Sequence, residues 1–283
     1  MNFTYLDESG IHGNAEACIV AGYFGKIGPW RRFESQWKAI LAQRDFRVPL
    51  HELHAKTLMR RKAFFAGWSV DRRDDLLHSL SDAVAECKIH PVAYGLFVDD
   101  FFAFSLPERR FLTGGTWDAE QLRFRSTGCP NKPYFVAFTE CLKIVTSHTP
   151  AMGSANFYCG VDRPAGGYAK TLFRYLKNRS RIVSTEKFGT IGFPLAAETP
   201  RLQLADLFSY LSYHHMLERK ASGDWTSQPS DVLIALLRNR KTPEDTSFRT
   251  AQLLREMISV VPNLPTSDSG TLPGGPVAKA VGA

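Results

Sequence analysis

Asp7, Asp162 and Asp206 are carboxylates whose neighbours leave both a chemical and a structural reading open. Asp7 ends the first strand-like run in phase with Phe3 and Tyr5, which puts it on an apolar face. Asp162 closes Phe157-Tyr158-Cys159-Gly160-Val161 ahead of a Pro-Gly loop. Each also reads as a turn-forming acid, Asp7 within Asp-Glu-Ser-Gly and Asp162 beside Arg163. Asp206 makes the stronger case. At roughly 100° per residue, Leu204, Phe208 and Leu211 fall opposite it, while Leu202, Gln203, Tyr210 and Tyr213 share its own side. An ionised acid in such company is costly unless it is paired or metal-bound, and the alternative is a surface aspartate on a partly exposed helix.

Brought together at one edge of a sheet, three carboxylates repel unless a hard divalent cation sits between them. Mg²⁺ or Mn²⁺ held in this way suits hydrolysis of a phosphodiester. His51-Glu52-Leu53-His54 adds a second cluster. Its histidines are three apart, one short of the spacing in the zinc motif H-E-x-x-H, so His54 is a candidate general acid, general base or phosphate contact, or simply a structural histidine. Asp74-Asp75 with His78, and Asp99-Asp100, are read as helix-start or loop acids.

The elements that must carry these residues follow from periodicity. Phe3–Asp7 and Ala17–Phe24 predict a hairpin, Ile89–Val98 a third strand, Ala155–Val161 a fourth and Phe188–Leu195 a fifth. Helices are expected over Trp30–Gln43, Asp71–Cys87, Tyr134–Val145, from Gly167 to about Asn178, from Pro200 to about Arg219, and over Ser230–Leu237 and Phe248–Val260. The order predicts one α/β domain over residues 1–261, with a helical insertion at 30–87, a surface loop at 103–133 and C-terminal helices at 230–260. Residues 262–283, rich in Pro, Gly, Ser and Thr, are expected to form a disordered tail.

The 283 residues are 44% hydrophobic, with 20 Phe and 5 Trp, which excludes disorder throughout. Lys and Arg outnumber Asp and Glu by 35 to 28, for a net charge of +7. Residues 31–73 hold 11 cations against 4 acids, and residues 163–187 hold 7 against Glu186, so the rest of the chain is acidic. Two basic stretches suggest a polyanionic partner such as nucleic acid, or two solvated helix faces. Five cysteines without a C-x-x-C pair, no leader and no apolar run near the ~18 residues of a membrane span lead to the expectation of a cytoplasmic protein without a membrane partner.

Tyr5-Leu6-Asp7-Glu8-Ser9-Gly10, His51-Glu52-Leu53-His54-Ala55 and Gln203-Leu204-Ala205-Asp206 resemble the motifs of a bacterial family, domain of unknown function 3800, over about residues 1–218. The resemblance implies a ribonuclease H-like mixed sheet and metal-dependent nuclease chemistry. It makes Asp7 the first-strand acid, Asp162 the fourth-strand acid and Asp206 the final-helix acid, with His54 from the family's histidine motif. The sequence departs from the superfamily in the roughly 65 residues between the second and third strands, and in the identity of a fourth acid. Glu8, Glu52, Glu140 and Glu198 are candidates, Glu8 pointing away from Asp7 if the strand is regular. The family's bacterial setting also implies protein partners in a defence or mobile-element system. Two function classes emerge: a metal-dependent nuclease or phosphodiesterase, and a non-catalytic nucleic-acid-binding or partner-binding module on the same fold.

Overall fold

The structure, a computed structural model, describes residues 1–160, 163–179, 185–249 and 251–265. In chain order its elements are β1 (Asn2–Ser9), β2 (Ala17–Gly25), α1 (Ile27–Leu41), α2 (Ala55–Met59), α3 (Val70–Glu86), β3 (His90–Phe97), α4 (Val98–Phe102), α5 (Leu106–Leu112), β4 (Thr116–Asp118), β5 (Arg123–Ser126), α6 (Tyr134–Ser147), β6 (Ala155–Cys159), α7 (Arg163–Arg179), β7 (Phe188–Gly192), α8 (Pro200–Ser222), α9 (Asp231–Leu237), β8 (Thr246–Arg249) and α10 (Ala251–Ser259).

Six strands form one mixed sheet in the order β7-β6-β1-β2-β3-β8. The first three strands are antiparallel neighbours, whereas β6 runs parallel to β1, β7 parallel to β6 and β8 parallel to β3. Three antiparallel strands flanked by two parallel ones on the β1 side is the mixed sheet expected of a ribonuclease H-like core. The centre of the sheet is buried on both faces, which explains why all nine residues of β2 are buried and why its sequence is almost continuously apolar.

Strand alternation divides the interior in two. Tyr5, Ile19, Ala21 and Tyr23 face one core, closed by Trp30, Phe33 and Trp37 of α1, Leu76 and Leu80 of α3, and Leu204 and Phe208 of α8. Leu6, Val20, Phe24 and Phe157 face the other, closed by α6, α7 and α10. Gly10 turns the chain from β1 toward β2 with φ +79°, a conformation that favours glycine.

Several expectations need correction. The sheet has a sixth strand, β8, whose four residues are too few to show a period; it takes Phe248 and Arg249 from the helix expected over Phe248–Val260, which instead runs Ala251–Ser259. The segment 103–133, expected to be a surface loop, contains α5, opened by a Ser105–Glu108 capping box, and the small β4–β5 hairpin. The insertion between β2 and β3 holds a third, five-residue helix, α2, besides the two predicted. Residues 262–265 do not belong to a solvated tail: Leu264 is buried in the second core, and the Trp117 indole donates to the Pro262 carbonyl at 3.1 Å. Residues 266–283, the remainder of that expected tail, lie outside the described residues. Among the described residues no helix is long and apolar enough to cross a membrane.

Candidate active site at the end of the first strand

β1 carries Asp7 near its C-terminal end, opposite Ala21 of β2 and on the Tyr5 face of the sheet. The neighbouring parallel strand approaches it closely. Leu6 is in register with Cys159, and the Gly160 N–H donates to the Leu6 carbonyl at 3.0 Å. A Cβ at position 160 would come within 2.7 Å of Asp7 Oδ1, so a larger residue there would have to displace the carboxylate. Asp162, the expected fourth-strand acid, lies outside the described residues.

α8 crosses the same face and packs against β1 and β2, which brings Asp206 toward Asp7. The helices are tied to the strand by side chains as well as by packing. Arg201 donates to the Tyr5 hydroxyl at 2.5 Å and to Glu34 of α1 at 2.8 Å, and the Ser9 and Ser209 hydroxyls are 3.1 Å apart. Asp206 is 13% exposed in its side chain, and its Oδ2 accepts the Ala55 N–H, at the start of α2, at 2.7 Å. His54 is the residue before that helix. Its Nδ1 lies 3.8 Å from Asp206 Oδ2 and accepts the Lys56 N–H at 3.2 Å, while the ring is 60% exposed. An Nδ1 that accepts leaves the proton of the neutral ring on Nε2.

Gln203 makes the second tie, and sequence reasoning gave it no role. It is buried, accepts the Trp37 indole N–H at 3.1 Å through Oε1, and donates from Nε2 to the Leu50 carbonyl at 2.6 Å. The four residues Gln203–Asp206 therefore hold the 50–55 segment at both ends, Gln203 at Leu50 and Asp206 at Ala55. A glutamine on an otherwise apolar helix face was the available signal.

Burial pushes the Asp7 carboxyl well above the ordinary carboxylate range, and the charges of Glu8 and Asp206 push it further. Burial also raises Asp206, against the opposing pull of His54 and the Ala55 N–H. Two acids here thus bind protons more tightly than free carboxylates do. Glu8 begins on the Leu6 side of β1, as strand alternation requires, yet its carboxyl shares a hydrogen bond with Asp7. Its charge also acts on Cys18, Cys159 and Tyr134 of the second core.

The structure brings together Asp7, Glu8, His54 and Asp206. The other glutamates stand apart: Glu52 is 3.6 Å from His51, Glu140 is paired with Lys143 on α6 at 2.6 Å, and Glu198 is exposed ahead of α8. Among the described residues, no group of three or more His, Cys, Asp and Glu is arranged to hold a metal ion. What is present is a set of carboxylate oxygens, the donor type that a hard cation such as Mg²⁺ or Mn²⁺ takes.

No family model and no curated protein matches the chain. Among solved structures it is similar, over 98% of its own length and 98% of the other chain, to a chain of the PCNA:RNase HII complex from Archaeoglobus fulgidus, with 12% identity and a TM-score of 0.35. A likeness at that level decides nothing about activity; the reading of the fold comes from strand order and direction.

Proposed function

We propose that this protein is a metal-dependent nuclease or related phosphodiesterase, with Asp7 and Asp206 as ligands of Mg²⁺ or Mn²⁺ and Asp162 as the third acid. The observation that carries this reading is the placement of Asp7 and Asp206 together at the end of the central strand, each with its proton affinity raised and neither neutralised by a lysine or arginine among the described residues. A divalent cation bound there supplies the compensating charge and Lewis acidity for attack of water on a phosphodiester.

The protein's own groups do the rest. The Ala55 N–H fixes the orientation of Asp206, and Glu8 adds negative charge that strengthens cation binding at Asp7. His54 offers the Nε2 proton to a leaving oxygen from an exposed ring whose orientation is set by the Lys56 N–H. Nucleic acid is the partner that the basic insertion favours.

The test is incubation of purified protein with labelled DNA, RNA and hybrid in Mg²⁺ or Mn²⁺. Cleavage is expected with wild type and not with Asp206→Asn, which retains an oxygen to accept the Ala55 N–H and so preserves the fold. Absence of cleavage with either metal, or a mutant that cuts as well as wild type, overturns the reading. One observation favours the non-catalytic binding module: the Asp206–Ala55 hydrogen bond gives Asp206 a purely architectural use. Calorimetric titration with Mn²⁺ separates the two, since stoichiometric binding that disappears in Asp7→Asn is expected only of the enzyme.

A further inference from the structure

Past Asp206, α8 continues with a run of rings on the same face. About 100° per residue places Tyr210 and Tyr213 within about 40° of the acid and His214 within about 80°. All three are half-buried: Tyr210 and Tyr213 pack in part against the first core, and each ring keeps a solvent-facing portion. The ring centroids of Tyr210 and His214 lie 4.3 Å apart, and those of Tyr213 and His214 lie 5.5 Å apart at right angles, so the rings form one continuous strip. On one side the strip meets the β1–β2 turn, where a Cβ at Gly10 would come within 2.6 Å of the Tyr213 ring. On the other lies α2, which packs against α8.

The exposed side of α2 is basic. Lys56 and Arg60, four residues apart and so on one face, are both exposed, and neither makes an ion pair among the described residues. Arg60 sits at the end of the helix that packs against α8; burial lowers the proton affinity of His214, Glu218, one turn further along α8, opposes this, and the Arg60 charge adds to it. Half-buried aromatics at helical spacing usually complete a core. Tyr210 and Tyr213 do border the core that Leu204 and Phe208 fill, but both stay partly open to solvent, and His214 lies outside that core.

We propose that this strip is the track for a single-stranded nucleic acid, its bases stacking on Tyr210, Tyr213 and His214 and its phosphates meeting Lys56 and Arg60, so that the backbone is led to Asp7 and Asp206. The inference rests on the phosphodiester-cleaving reading of those acids and adds strandedness to it. Rings recessed between a turn and a helix receive the face of an unpaired base, whereas in a duplex those faces are occupied by neighbouring bases. The cations are sequence-blind, as stacking is, so the preference is for strandedness and not for sequence.

Fluorescence anisotropy in a metal chelator, with no cleavage to deplete the probe, tests this. A fluorescein-labelled oligothymidylate of about 12 nucleotides is compared with its blunt duplex and with polyglutamate as competitor. The single strand is expected to bind roughly tenfold more tightly than the duplex, Tyr210→Ala and His214→Ala each to weaken it roughly tenfold, and Tyr210→Phe to retain affinity. Arg60→Gln is expected to reduce the slope of log K against log salt by about 0.7. His214→Ala, which removes a half-exposed ring, keeps the test decisive if Tyr210→Ala does not fold. Duplex affinity equal to that of the single strand, folded ring variants that bind as wild type does, or polyglutamate that competes as well as unlabelled oligothymidylate would overturn the proposal. Its failure is distinct from failure of the nuclease reading. Metal-dependent cleavage without ring-dependent binding removes the strip alone, and ring-dependent binding without cleavage removes the enzyme alone.

Discussion

Asp7 and Asp206 oppose each other's ionisation, and at Asp7 the shared hydrogen bond with Glu8 adds to the effect. A carboxyl that holds its proton more tightly in the folded chain than in the unfolded one favours folding at low pH. That contribution is lost as pH rises from its unfolded value of about 3.9 toward its raised folded value. Metal-free protein should therefore gain stability when Asp7→Asn removes the charge, seen as a higher Tm at pH 7 in chelator. The difference should vanish at pH 3, and a variant less stable than wild type at both pH values would contradict it. Mn²⁺ should raise the Tm of wild type and not that of the variant, because only a folded site with its carboxylate gains from the ion. At His54 the ring serves two ends, since Nδ1 caps α2 while Nε2 carries the proton. His54→Asn keeps a capping side chain and removes the proton donor. Cleavage should fall by at least about 100-fold with Tm nearly unchanged, and a mutant of undiminished rate would show the histidine to be a cap alone.

The five-residue α2 is far below the ~12 residues at which an isolated helix becomes even marginally stable. It stands because α8 holds both ends of the segment that leads into it. Gln203→Ala should cost about 1–3 kcal/mol, as it leaves the buried Trp37 indole N–H without a partner and takes from the Leu50 carbonyl one of its two donors, the other being the Leu53 N–H. Hydrogen exchange should then speed up at the amides of residues 55–59 while those of β1 stay protected; uniform exchange across both would contradict a local tie. The same element shows what a sequence can reveal. β1 and α8 were legible because eight or more residues carry an apolar period, β2 because nine form an almost unbroken apolar run, and Asp7 and Asp206 were legible as acids in apolar company. α2 and β8 were not, because four or five residues contain too little period to distinguish from chance. Nor could spacing show that Asp206 binds the Ala55 amide, a partner 151 residues away.

On the scale of the whole molecule, the basic insertion divides into cations that build the fold and cations that face outward. Arg61 and Arg72 donate to the Trp68 and Phe46 carbonyls, both at 3.1 Å, and Arg73 pairs with Asp74 at 2.7 Å, whereas Lys56 and Arg60 remain exposed. Cluster counting could not make that division, because it depends on which carbonyls the folded loop presents. The two cores on either side of the sheet are closed at different points in the chain, the first by α8 and the second by α10 with Leu264. Leu254→Ala, which empties a fully buried position of α10, should cost about 2–5 kcal/mol by urea denaturation. A cost below about 1 kcal/mol would mean that α10 is an ornament of the second core and not part of its closure. The contact between Asp206 and Ala55 joins α8 to the segment inserted between the second and third strands. In evolutionary terms the two are locked. A descendant that deleted the insertion would leave the aspartate without its amide, and one that lost the aspartate would release the insertion, so inheritance should keep or discard them together.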